Sequence, residues 1–146
     1  MRKLTLVAVS VAALLSMLAL PAFAAVINGT LGDDVLIGTP ESDDISGVKG
    51  NDIIEGRGAG DYKLNGNSGD DEVYGNNGED YIVGGYNTDF LSGGPDNDIL
   101  IDDGDNLFVD VLACGDGAAD TAYADPQDEV RSSCEIVNPP YDPPIR

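Results

Sequence analysis

The chain has 146 residues, with 27 acidic against 7 basic side chains, no histidine, no tryptophan, and a net charge of −20. That balance excludes nucleic acid and anionic membrane surfaces as partners, because both would be repelled. The missing imidazole excludes HExxH zinc sites and Ser-His-Asp triads.

In chain order, the first element reads as a targeting segment. Arg2 and Lys3 precede an apolar run from Leu4 to Leu20, and Ala22-Phe23-Ala24 supplies the small-x-small pattern of a cleavage site. Residues 1–24 are expected to be a signal peptide, with the mature chain secreted and lacking any membrane span. Its loss removes two basic residues, so the mature charge moves from −20 to −22. Acidity of that size often marks disorder, but here the acids are regularly placed.

From Gly29 the chain divides into nonads such as GTLGDDVLI (29–37), GVKGNDIIE (47–55), GNSGDDEVY (66–74) and GGPDNDILI (93–101). A register with Gly56 left over gives eight of them, and the fourth is RGAGDYKLN (57–65). Position 8 is always aliphatic: Leu36, Ile45, Ile54, Leu64, Val73, Ile82, Leu91 and Leu100. Position 6 is aspartate in seven repeats, namely Asp34, Asp43, Asp52, Asp71, Asp80, Asp89 and Asp98, with Tyr62 in the fourth. Glycine dominates positions 1 and 4. A fixed nine-residue period signals a solenoid. In a three-residue strand only the middle side chain faces the core, which explains the uniform position 8 and the polar neighbours Lys63, Glu55, Ser46 and Ser92. Glycine at positions 1 and 4 is expected to supply positive φ and close backbone approach.

The pattern G-G-x-G-x-D-x-U-x, with U aliphatic, resembles the hemolysin-type (RTX) calcium-binding repeat in a small exported form. That resemblance implies an all-β, right-handed parallel β-roll in which six residues turn and bind Ca²⁺, three form a strand, and two nonads close a coil. It also implies metal ligation by the seven position-6 aspartates, each ion lying between alternate repeats. Asp34, Asp52, Asp71 and Asp89 would then line one edge without interruption. The other edge, Asp43, Asp80 and Asp98, would be gapped at Tyr62, with Asp61 as the nearest substitute. Seven carboxylates in register exceed what Asx-turn chemistry demands. A core of one aliphatic side chain per nonad falls short of the ordering entropy, so metal binding is expected to drive folding.

Past Ile101 the period degrades, although Asp110-Val111-Leu112, Asp120-Thr121-Ala122 and Asp128-Glu129-Val130 repeat its core. Solenoid ends need a cap, and residues 102–137 are assigned to it after repeats spanning 25–101. Cys114 and Cys134 form an even pair, most simply one disulfide in an oxidising compartment. The Pro-rich tail 138–146 is expected to be extended and disordered. No segment remains for a catalytic domain. The reading is a non-catalytic calcium-binding structural or binding module. Its alternatives are an adhesin that meets cell-wall or other extracellular surfaces and, behind that, an accessory subunit of an exported enzyme.

Overall fold

The computed structural model describes residues 23–102, 107–134 and, by backbone alone, 136–138. The segment expected to be a signal peptide, but for Phe23 and Ala24, and the Pro-rich tail, but for Asn138, lie outside the described residues. So do the side chains of Ile136 and Val137, both candidates for the cap.

In chain order the strands are β1 (Val26–Asn28), β2 (Val35–Ile37), β3 (Asp44–Ser46), β4 (Ile53–Arg57), β5 (Lys63–Ser68), β6 (Glu72–Asn76) and β7 (Tyr81–Tyr86). There follow β8 (Phe90–Gly94), β9 (Ile99–Ile101), β10 (Val111–Gly115), β11 (Thr121–Tyr123), β12 (Glu129–Val130) and β13 (Ile136–Asn138). Period-two alternation of buried and outward residues runs through β2 to β6 and β8 to β11 among the described residues. Odd-numbered strands form one seven-stranded parallel sheet and even-numbered strands a six-stranded one. Each strand pairs with the next but one, so two repeats make a coil and the chain winds through about six of them. No helix occurs among the described residues.

The core is a double file of side chains one residue wide. Leu36, Ile54, Val73, Leu91 and Leu112 stack in one sheet against Ile45, Leu64, Ile82, Leu100 and Ala122 in the other, all essentially inaccessible to solvent. Alternation makes positions 6 and 1 inward too, so Leu36, Ile45, Ile54, Val73, Ile82 and Leu91 are each flanked by a buried aspartate and a buried glycine. Cys114 occupies a position-1 site, paired with Gly93's strand, and is bonded to Cys134. The bridge lies where the aliphatic file ends. It closes a loop worth about 3 kcal/mol through the unfolded state.

Backbone geometry corrects the expected role of glycine. Positive φ falls on positions 2 and 4, not 1 and 4: Val48 (85°), Asn67 (75°), Asn76 (74°) and, once Gly56 is counted as position 1, Arg57 (92°) at position 2, Gly50 (104°), Gly69 (131°) and Asn87 (86°) at position 4. Position 1 needs glycine for space. A methyl on Gly66 would run into Oδ2 of Asp71 and the carbonyl oxygen of Gly84. Around Gly32 nothing lies within 4 Å of that methyl. Gly66→Ala is therefore expected to lower stability in saturating calcium by about 2–3 kcal/mol, and Gly32→Ala to leave the thermal midpoint nearly unchanged.

Candidate metal centre

The position-6 aspartates stand just before the strands, and the strand register stacks them. On the edge entering the even strands, the amide of Asp34 donates to Oδ1 of Asp52 (2.8 Å), Asp52 to Asp71 (2.8 Å) and Asp71 to Asp89 (2.9 Å). The same link continues from Asp89 to Asp110 (2.7 Å) and from Asp110 to Asp128 (3.1 Å). On the other edge the amide of Ala25 donates to Asp43 (2.6 Å), and Asp43 to Asp61 (2.8 Å). Asp61 then donates to Asp80 (2.7 Å), Asp80 to Asp98 (2.9 Å) and Asp98 to Asp120 (2.8 Å). Past Asp34, each rung of the two files thus spends one oxygen on the neighbouring coil's backbone.

The second edge has no gap in its carboxylates, which corrects the register. Asp61, 2 % exposed, takes the rung expected to be broken, and Tyr62, 75 % exposed, is the extra residue. The amides of Tyr62 and Lys63 both donate to the carbonyl of Asp43, the signature of a bulge that puts two residues opposite one. Gly56 is in register after all: it pairs in line with Gly75, and a methyl there would strike Oδ2 of Asp61.

The remaining oxygen decides the chemistry. Oδ2 of Asp52, Asp61, Asp71, Asp80, Asp89 and Asp98 is buried and accepts no hydrogen bond. It lies beside the position-1 glycine of its own repeat. At Gly47, Gly66 and Gly75 the other near atom is the carbonyl oxygen of the glycine one coil on (Gly66, Gly84 and Gly93). Buried polar atoms are nearly always satisfied, and here only oxygen acceptors face one another. A hard cation that takes carboxylate and carbonyl oxygens fits such a donor set. The first rungs differ. Thr30 donates its amide to Oδ2 of Asp34 (2.5 Å), and Thr39 does the same for Asp43 (2.5 Å), so these two carboxylates are partly served within their own turns.

Electrostatics agree with a site that wants positive charge. Burial first, then the neighbouring carboxylates, push the acids up against the opposing help of the backbone amide. Asp52 and Asp61 rise to about 6, Asp71, Asp80 and Asp98 to about 7, and Asp89 to about 8.

Two features escaped the sequence reading. Position 5 builds a second, exposed ladder in which Asn51, Asp70 and Thr88 donate their amides to the side chains of Asp33 (2.9 Å), Asn51 (3.1 Å) and Asp70 (3.2 Å). The polar run Asp33, Asn51, Asp70 at one repeat position was the available signal. In the cap, Asp102 stands in the sheet position that Gly84 holds one strand earlier, and its carboxylate lies within 4.8 Å of those of Asp110 and Asp128. Its signal was hidden because three further residues separate this position from its aspartate.

Comparison with known proteins agrees with this geometry. Residues 28–62, 65–100 and 83–107 match the RTX calcium-binding nonapeptide repeat, in four copies, over more than half of the chain. No curated protein and no solved structure matches it. A nine-residue period, two parallel sheets and two files of inward aspartates are thus the marks of one known repeat, and the chain belongs to the RTX calcium-binding nonapeptide repeat family.

Proposed function

We propose that this is an exported, non-catalytic protein whose β-roll is ordered by calcium and serves as a structural or binding module outside the cell. The observation that carries it is that the buried Oδ2 atoms of Asp52, Asp61, Asp71, Asp80, Asp89 and Asp98, spread along two files, accept no hydrogen bond. On this reading Asp34, Asp43, Asp52, Asp71, Asp80, Asp89 and Asp98 are ligands. Asp61, Asp110, Asp120 and Asp128 join them because they occupy equivalent rungs. Bound calcium would supply the positive charge that lets the two files stack. The chain's own residues do the rest: glycines open the space, amides of adjacent coils hold the Oδ1 atoms, and the aliphatic file sets the spacing. Extracellular calcium near 10⁻³ M suits modules of this kind, and the Cys114–Cys134 bridge suits an oxidising compartment. The division into a leader (1–24), repeats (25–101), cap (102–137) and tail (138–146) belongs to the same proposal.

Equilibrium dialysis against calcium tests the ligand assignment. Asp61→Asn is expected to lower the number of bound ions, and Asp44→Asn, altering a neighbouring side chain of the outer sheet face, to leave it unchanged. Equal stoichiometry in wild type and Asp61→Asn would remove the second file from the site.

A further inference from the structure

The bulge at Tyr62 has a second effect, on the outer face of the seven-stranded sheet. There the register aligns Lys63, Tyr81 and Ile99 in one row and Asn65, Val83, Ile101 and Tyr123 in the next. Tyr62, pushed out of the sheet and 75 % exposed, walls this surface on one side, and Tyr123 lines it on the far strand. Between them lies a groove of about 650 Å³ with Tyr81, Val83, Ile99 and Ile101 in its lining and Lys63, Asn65 and Asp102 as its polar groups. From β5 to β11 it crosses three strand spacings, ~14 Å, and its volume is that of a ligand site rather than a packing defect.

We propose that this groove binds a neutral oligosaccharide. Three tyrosine rings offer flat apolar faces to the C–H faces of sugar rings, and their hydroxyls can donate and accept. Asn65 also does both and Lys63 only donates, which suits hydroxyl groups that need each, while the Asp102 carboxylate is turned inward toward those of Asp110 and Asp128. Charge selects among ligands. Lys63 stands in register with Asp44 on the neighbouring strand, whereas the whole chain carries −20, so phosphate- or uronate-bearing chains are repelled. A peptide would gain little, because the groove is a sheet face whose backbone groups are already paired across β5, β7, β9 and β11.

The test uses calcium-loaded full chain and titration calorimetry with cellohexaose, laminarihexaose and chitohexaose, with oligogalacturonate as the anionic control. At least one neutral series is expected to bind. Tyr62→Ala and Tyr81→Ala should each weaken it about tenfold, with circular dichroism and calcium stoichiometry unchanged. A folded, calcium-loaded protein that binds none of the three, prefers the anionic chain, or binds equally well as Tyr62→Ala overturns this inference alone. A chain that stays unfolded in calcium overturns the calcium reading and takes the groove with it.

Discussion

Acidification of the metal-free protein is expected to produce β-structure that is absent at pH 7.5. The buried aspartates have folded-state pKa values raised from 3.8 to between about 6 and about 8. A raised carboxylate binds its proton more tightly in the folded state, so the folded state holds more protons between those limits. Stability from this source is complete below pH 4 and is lost as pH rises through 6 to 8. Protons and calcium thus answer the same need, neutralising stacked charge. Far-UV circular dichroism of chelator-treated, desalted protein from pH 7.5 to 4 measures it. Burial dominates each shift, so the transition belongs to the inward carboxylates. A metal-free spectrum indifferent to pH would contradict the role given to the inward carboxylates.

The second large effect is a change of sign at a single rung. Asp71 sits mid-file, its Oδ1 accepting the amide of Asp52 and its Oδ2 beside the carbonyl-lined space at Gly66. In Asp71→Asn the carbonyl oxygen keeps the first contact, and the amide nitrogen gives the carbonyl oxygen a donor. Without metal, one buried charge is gone from a repelling file, so the variant is expected to be more β-structured than wild type in chelator. With calcium, the two sites flanking this rung lose a ligand. At tenfold saturation each site contributes about 1.4 kcal/mol. The loss is about 3 kcal/mol, or a midpoint lower by about 10 °C. Far-UV circular dichroism of both proteins in chelator and thermal unfolding of both in calcium give the four values. A merely structural carboxylate would shift both pairs in the same direction.

These expectations rest on parts of the molecule that were unequally legible in the sequence. The uniformly aliphatic position and the seven aspartates marked the inward positions, and the repeat they resemble implied the two-repeat coil and most of both files. The fourth repeat was misread, and the reason is local. RGAGDYKLN can keep either the spacing from aspartate to aliphatic or the spacing from glycine to aspartate, and the first choice put Tyr62 on the rung. The second was the physical constraint. Gly47 and Asp52, Gly66 and Asp71, Gly75 and Asp80 are all five apart, because the glycine makes room for that carboxylate. Gly56 and Asp61 keep that spacing, and the surplus residue leaves through the solvent-facing strand, where a bulge disturbs no core contact. Positive φ at Val48 and Arg57 was not legible, since nothing in those side chains favours it. The cap was legible only as scattered D-x-U cores; its coils follow the roll because Leu112 and Ala122 still fall on the inward position.

Two buried files of carboxylates are expected to hold together only with cations between their rungs, and a calcium titration followed by far-UV circular dichroism at pH 7.5 measures this. The account predicts little β-structure in chelator, a transition to a β-rich spectrum at millimolar calcium, and no such transition with magnesium, which keeps its waters and demands a tighter octahedral site. A β-rich spectrum in chelator at that pH, unchanged by added calcium, would contradict it.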